Sequence, residues 1–585
     1  MGYIEISLKM PTDYSDEELR EAVKKELEIV KNNIYCKPEL DEKLRFEILN
    51  KSLDARKKSD IHWVIRVGVD NLSSNSEIEN SKHFGHQIFK EKLNIPYRRR
   101  EEKVIVVGSG PAGFFAAYLL QKAGFNTTII ERGSKVTKRE ALIKEFESTG
   151  KFNSITNYAF GEGGAGTFSD GKLTSRSKNI SKEKEFILSS YVQAGAPEEI
   201  LYMAHSHLGS DNLKQIIKNL RNSFISMGGT ILFETLVKDF KLNSCSNRDV
   251  NSSNNKVVGV FVSSTASDST TSDSATSDPI ASGSIISDNK IKTSNEKFVD
   301  EIEADHFIVA SGHSAYETYR MLIAKGVEFK TKNFAIGCRV EHRQELINLA
   351  QWGKKSLIGV KAAEYRLASR GDGHLPVYTF CMCPGGIIVP STAYEKANIV
   401  NGMSRYKRDG IFANAACVAG VNLNKLLSRD VDAQDALDWL ENLENDFYRY
   451  SGGYAAPFCS INDFIDKKIR TKPHSIANNV VESSYPLGLK IAPLWELLPK
   501  EIIVAITEGL KDFSRKIRGF ETGLIMGLES KTSSPISVVR EKSCCCTGFN
   551  NLYMVGEGSG HAGGIISSGA DGIKAALSII EAYEH

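Results

Sequence analysis

Residues 104–132 read VIVVGSGPAGFFAAYLLQKAGFNTTIIER, and this stretch decides the fold. Val104 to Val107 is a short, uninterrupted apolar run of the kind a buried parallel strand shows. It leads directly into Gly108-Ser109-Gly110-Pro111-Ala112-Gly113, and Ala117, Leu120 and Gly124 follow at helical spacing. Each position answers a physical demand. Gly108 makes a tight turn, Gly110 lets the backbone approach a pyrophosphate, and Gly113 allows close helix–strand packing while the helix N-terminus faces the phosphates. A second strand, Thr127 to Ile130, ends at Glu131, whose carboxylate can accept hydrogen bonds from an adenosine ribose. A 2′-phosphate there would be repelled by the same charge. Strand, loop, helix, second strand and terminal acid occur in order within about 30 residues, as a dinucleotide-binding fingerprint requires. The spacing does not separate NAD from FAD.

The rest of the chain sets bounds on this reading. It has 585 residues, 41% apolar and 25% charged, which places it among ordinary globular proteins of several domains. Its 74 basic and 72 acidic side chains leave a net charge of +2, so no global field gathers nucleic acid or anionic lipid. A nucleic-acid partner is not expected. The start MGYIEISLKM lacks a secretory pattern, the ten cysteines are scattered, and the longest apolar stretch is broken by Ser109, Pro111, Gln121 and Lys122. These features lead us to expect a soluble, cytoplasmic protein without a membrane span.

The chain divides into four segments. Residues 1–96 alternate, turn helical and alternate again, which predicts a small N-terminal α+β domain. Tyr97 to Lys103, YRRREEK, reads as a solvated charged connector. Residues 97–328 and 506–585 are expected to form two parts of a discontinuous Rossmann-like unit, and 329–505 an inserted α+β substrate domain, an arrangement implied by the family resemblance described below; the overall class is α/β. The Ser/Thr/Asp-rich stretch 263–296 contains no aromatic residue and is expected to be a disordered, expanded hairpin loop between KVVGVFVSS and KFVDEIEADHFIVASG.

Two further glycine clusters stand out. Gly161-Glu-Gly-Gly-Ala-Gly-Thr-Phe-Ser-Asp-Gly171 is too glycine-dense for a helix or strand interior, where each glycine costs ~0.5–1 kcal/mol relative to alanine. Its backbone must come close to something. Gly556-Glu-Gly558-Ser-Gly560 lies between a strand-like run, Leu552 to Val555, and a helical run from Gly564. Taken alone it fits a second dinucleotide site, but no acid-terminated second strand follows it.

VIVVGSGPAG with Glu131-Arg132 resembles the start of the flavoprotein superfamily that includes glutathione reductase and fumarate reductase. FGEGGAGTFSDGKLTSR (160–176), VYTFCMCPGGIIV (377–389), GLESKTSSP (527–535) and LYMVGEGSGHAGGIISSGADGIKAA (552–576) are similar to a family of uncharacterised FAD-dependent dehydrogenases. The resemblance implies FAD as cofactor. It places Gly108, Gly110, Pro111, Ala112, Gly113, Glu131 and Arg132 at the adenosine and pyrophosphate. It places Gly163, Gly164, Ala165, Gly166 and Thr167 beside the pyrophosphate and the ring. Ser311 and Gly312 would end the strand next to FAD, Ser311 standing where a Thr is usual. Gly556 with Glu557 would meet the ribitol, and the helix opening at Gly564 and Ile565 would point its N-terminus at the flavin pyrimidine edge, stabilising the reduced form.

The candidate catalytic residues are Lys172, His561 and Cys383. Lys172, with Asp170, can position substrate or tune the flavin. His561 lies in the last glycine loop as an acid/base candidate. On a regular strand Cys381 and Cys383 would share one face with Cα atoms ~6.7 Å apart, poor geometry for a disulfide. Cys544-Cys-Cys546 reads as a surface corner, and Arg339 as a holder of an anionic substrate or a paired surface arginine. No spacing of Cys and His suits zinc. The expected function is an FAD-dependent oxidoreductase passing hydride between flavin and a small organic substrate, with NAD(P)H as a transient donor or another reductant in its place. Two alternatives stand beside it: a flavoprotein modifying RNA or a sulfur-containing substrate, and a non-catalytic flavin-binding sensor or scaffold.

Overall fold

The computed structural model describes residues 2–32, 45–70, 84–86, 92–243, 255–264, 299–373, 375–470, 476–477 and 480–584. The stretch 265–298, holding nearly all of the expected loop insertion, lies outside the described residues. The strands that flank it, Val257–Ser264 and Val299–Glu303, pair antiparallel as a hairpin, and Thr235–Leu242 completes a three-stranded sheet.

The fold is a mixed α/β one. The fingerprint strand Lys103–Val107 sits at the centre of a five-stranded sheet whose order is Leu552–Met554, His306–Val309, Lys103–Val107, Asn126–Ile130, Thr230–Leu232. All four pairings are parallel. A strand from the chain's far end thus reaches this sheet beside one from near residue 306. The helices Pro111–Lys122 and Gly564–Ala582 lie against each other, and a Cβ on Gly572 would stand 2.0 Å from the Ala112 carbonyl oxygen. Only glycine permits that approach. Gly124 follows the C-cap of the helix between the first two strands, and a Cβ there would meet Arg98 O at 2.1 Å.

The connector is less free than its charge suggests. Arg98 N and Arg100 N bond Ala123 O and Gly124 O, and the Arg100 guanidinium covers the Phe125 ring at 4.7 Å. Aromatic cover and backbone bonding dock it, while Arg99 remains exposed.

A seven-stranded sheet has the order Ala368–Ser369, Val377–Cys383, Phe412–Val421, Phe334–Arg343, Leu524–Glu529, Ala456–Ser460, Leu489–Ile491. Leu524–Glu529 comes from beyond residue 505, the expected edge of this unit. Its six residues are all buried and pair on both sides, which a strand of that apolarity needs. The helix Lys500–Lys516 buries Ile502, Ile503, Ile506, Leu510 and Phe513. At the N-terminus, Gly2–Met10, Phe46–Asp54, His62–Asp70 and Phe84–His86 form one sheet, and Leu19, Val23 and Leu27 of the helix Asp16–Asn32 join its core. Residues 46–54 are a strand.

Candidate functional site

Gly108 has φ +105°, a conformation only glycine adopts readily, and its N–H donates to Ile130 O at 2.8 Å, tying the end of the first strand to the second. A Cβ there would lie 2.5 Å from Ala310 O. Gly113 sits over Gly108 O, where a Cβ would stand at 2.0 Å. The helix Pro111–Lys122 starts with Gly110 as an extended N-cap and has no side-chain cap, leaving its N-terminal field to a ligand.

Glu131 is buried and receives four bonds: Ser109 N at 3.0 Å, Ser109 Oγ at 2.7 Å, Gly133 N at 2.9 Å and Gly161 N at 3.1 Å. Its carboxylate therefore joins the fingerprint loop to the second glycine loop. Arg132 covers the Phe160 ring at 3.9 Å and pairs with Glu317.

The second glycine loop is held by a residue that sequence reading missed. Arg139, fully buried within the helix Val136–Thr149, donates to Asn157 O, Tyr158 O, Gly161 O, Glu162 O and Gly164 O at 2.8–3.1 Å. Burial pulls its pKa down to about 10, against the attraction of Glu131 and Glu162. Nothing local marks it, because a single Arg in a helix is ordinarily a surface residue. Arg221 pairs with Glu162 at 2.9 Å and completes the clamp. Gly163 is buried, and Ala165, Gly166 and Thr167 form a single 3-10 turn. Gly164 abuts Gly110 backbone to backbone, and a Cβ on Gly166 would touch Ile565 at 3.1 Å.

The C-terminal loop closes on the same place. A Cβ on Gly556 would stand 2.6 Å from Ala112 Cβ, and one on Gly558 2.9 Å from Gly312 O. Gly556 N donates to Asp571 Oδ2 at 2.8 Å, Tyr319 donates to Gly558 O at 2.8 Å, and His313 Nδ1 lies 3.2 Å from Glu557 Oε2. Four segments that are remote in sequence thus meet. Their inward surfaces lack side chains: a Cβ on Gly312 or Gly564 would have nothing within 4 Å, and one on Gly110 only Gly164 Cα at 3.7 Å. Ser311 Oγ and His313 Nε2 are buried with no protein partner among the described residues. Two helix N-termini without side-chain caps, at Gly110 and Gly563, border this region. A long, polar, partly anionic ligand fits such a cradle.

Beside it lies a charged cluster. Asp170 is buried, pairs with Arg408 at 2.6 Å, receives Ser404 Oγ and has Lys172 Nζ at 4.0 Å. Burial opposes its charge, but Arg408, Lys172 and His207 prevail and hold its pKa down at about 2. Lys172 Nζ donates to Met382 O. Arg339 is neither a surface residue nor open to an anion: it is fully buried, donating to Glu529 at 2.8 Å, Asn414 Oδ1 at 2.7 Å, Asn401 Oδ1 at 3.1 Å and Cys381 O at 2.7 Å. Burial pushes Glu529 up to about 7, with Arg339 pulling against it.

The strand Val377–Cys383 departs from the expected regular geometry. Its register with Phe412–Val421 slips between Phe380 and Cys383, and Cys381 has φ +44°. Cys383 is buried, its Sγ 3.3 Å from Cys381 O and 3.6 Å from Arg339 Nη2. A hydrogen bond from the Cys383 thiol, helped by Lys172 and Arg339, draws Cys381 down to about 6 against the effect of burial. Cys544, Cys545 and Cys546 are buried, 3%, 8% and 1% exposed, rather than forming a surface corner, because the chain there packs beneath Tyr553 and the Arg540–Asp571 pair. His561 is exposed, with Nε2 2.9 Å from Val538 O. A cleft of about 450 Å³ is lined by Glu140, Tyr158, Phe168, Lys214, Gly386 and Ser404.

The family described as FAD-dependent protein, C-terminal domain-like, matches residues 333–532, and the FAD binding domain family matches residues 101–141. An uncharacterized protein of Clostridium beijerinckii is 34% identical over 549 residues, covering 92% of this chain and 93% of its own. The chain belongs to this family of FAD-dependent proteins. FAD is its cofactor. Among solved structures, a geranylgeranyl bacteriochlorophyll reductase-like protein from Thermoplasma acidophilum is 14% identical, covering 83% of this chain and 80% of that one with a TM-score of 0.34. A flavoprotein/dehydrogenase from Cytophaga hutchinsonii is 11% identical, covering 82% and 79%, with a TM-score of 0.33. Both scores lie below the level at which a shared overall shape follows. Among the described residues of this FAD-dependent protein, no helix is long and apolar enough to cross a membrane.

Proposed function

We propose that this FAD-dependent protein is an oxidoreductase acting on a small organic substrate. One observation carries the reading: four glycine-bearing segments converge on a cradle with orphaned polar atoms, and a buried charged cluster adjoins it. When bound, FAD supplies hydride transfer at the isoalloxazine ring. The protein's residues do the remaining work. Gly110, Pro111, Ala112, Gly113 and Gly164 present backbone to the pyrophosphate, and Glu131 and Arg132 border the adenosine side. Ser311, Gly312, Gly556, Glu557, Gly564 and Ile565 border the ribitol and ring. This is a discontinuous Rossmann-like unit of the glutathione reductase and fumarate reductase kind, formed by 97–328 and the end of the chain.

The seven-stranded sheet unit holds the substrate, and residues 1–96 are an appendage. The cleft beside Ser404 has the size of a small-ligand site, which ranges over roughly 300–1,000 Å³. Lys172 carries positive charge to the substrate side. His313, buried with Nε2 unpartnered and Nδ1 beside Glu557, takes the acid/base role over from the exposed His561. A nicotinamide donor binds transiently or another reductant replaces it. Anaerobic screening of metabolites against the FAD-loaded protein tests this: some small compound should bleach the oxidised flavin or reoxidise the reduced one. If none across carbonyl, alcohol, amine and alkene classes does either, the reading fails.

A further inference from the structure

The segment Cys381-Met382-Cys383 is built unlike any ordinary strand end. Two residues of it face one residue of the partner strand, Phe380 pairing with Ala416 and Cys383 with Asn414. Cys381 takes a left-handed conformation that a residue with a Cβ adopts at a cost of order 1–3 kcal/mol, and such strain clusters at functional sites. Two cations from different parts of the chain grip successive carbonyls: Arg339 holds Cys381 O and Lys172 holds Met382 O. The consequence is that the Cys383 sulfur reaches back to within 3.3 Å of the Cys381 carbonyl, with the Arg339 guanidinium 3.6 Å from that sulfur and Lys172 on the next carbonyl. Cys383 is sealed, whereas Cys381 retains partial exposure.

The other described thiols lack this setting. Cys338, Cys417 and Cys459 are buried in the seven-stranded sheet, and burial pushes all three up. The place of the pair in the molecule is equally specific. Lys172 and Asp170 extend from the second glycine loop, which touches Ile565 and Gly110. Glu529, the partner of Arg339, feels both Cys381 and His313, the latter beside Glu557 of the C-terminal loop. The Cys381–Cys383 segment is thus tied directly to the second glycine loop through Lys172.

We propose that Cys381 and Cys383 form a dithiol–disulfide couple that exchanges two electrons with the bound flavin. The inference rests on the oxidoreductase reading above. On oxidation two S–H bonds break and one S–S bond joins the two Sγ atoms; two protons leave, and two electrons pass to oxidised flavin as the oxidant. Reduction reverses each of these changes. Cys381, the less buried residue of the two and the one whose thiol is drawn down, is the one that attacks or is attacked, and Cys383 resolves.

The experiment uses the full-length, FAD-loaded protein, oxidised with diamide and freed of it under anaerobic conditions. Dithionite is then titrated in while flavin absorbance is followed, and the peptide carrying both cysteines is weighed after iodoacetamide treatment. The expected result is a peptide lighter by two hydrogens and refractory to alkylation, with twice the dithionite consumed before the flavin is bleached and both cysteines become alkylatable as is needed to bleach Cys381→Ser or Cys383→Ser. If both cysteines are alkylated after diamide, the couple does not exist. If the disulfide forms but stays refractory to alkylation while excess dithionite holds the flavin fully reduced, its exchange with flavin is overturned. Cys381→Ser keeps the inference testable should the buried Cys383→Ser fail to fold. The metabolite screen reads flavin turnover by itself, so either result can fail while the other stands.

Discussion

Arg339 and Glu529 form an ion pair sealed from solvent on both sides, Nη1 standing 2.8 Å from Oε2. Arg339 comes from the strand Phe334–Arg343 and Glu529 from the neighbouring Leu524–Glu529, so the pair locks two central strands of the sheet and holds the Cys381 carbonyl as well. Removing one partner leaves the other charge buried and uncompensated. Arg339→Leu should therefore cost about 3–5 kcal/mol, and adding Glu529→Leu should recover much of that. Urea unfolding of the two variants checks the order; an Arg339→Leu protein as stable as the parent would contradict it.

Gly110 tests the cradle without testing the core. A Cβ there would meet only Gly164 Cα at 3.7 Å, so a side chain can leave the backbone at this position without a clash at its first atom. Gly110→Glu places a carboxylate where the pyrophosphate is proposed to lie. The purified variant should show parental far-ultraviolet circular dichroism and lose nearly all bound flavin. Normal FAD content in a folded variant would put the cofactor elsewhere.

Arg139→Met removes five hydrogen bonds to the carbonyls of residues 157–164 while nearly preserving volume. Each buried carbonyl left without a donor costs about 1–3 kcal/mol where water cannot reach it. The expected outcome is weaker FAD retention with a lower melting temperature, and faster hydrogen exchange or proteolysis confined to this loop. Unchanged protection of residues 157–164 would show that Arg139 does not hold it.

Asp170 supplies an acid-sensitive element. Its folded value of about 2 lies below the ordinary 3.8, so the carboxylate contributes stability that is present above 3.8 and lost as the pH falls through 2. The contribution is about 2 kcal/mol. Over that window Asp170→Asn should flatten the fall in melting temperature seen in the parent. Parallel profiles for the two proteins would remove Asp170 from the acid transition.

Much of the fold was legible from local pattern. Val104 to Val107, the glycines at 108, 110 and 113 and the acid at 131 each answer a demand made by atoms a few residues away, and the structure has the strand, turn, helix and second strand in place. The hairpin bracketing the Ser/Thr/Asp-rich stretch was legible for the same reason. Cys381 was not, because its left-handed backbone depends on Lys172 and Arg339, over 200 and over 40 residues away, gripping two carbonyls.

Sequence alone therefore determined the backbone vocabulary of this protein: a parallel strand entering a glycine turn, a helix start open to phosphate, and glycine-dense loops that must approach something closely. The tertiary structure decided which of those loops meet and which charges are buried between them. Arg139, Arg339 and Asp170 are ordinary polar residues in sequence. They become clamps only once burial removes water and leaves distant carbonyls and carboxylates as their remaining partners.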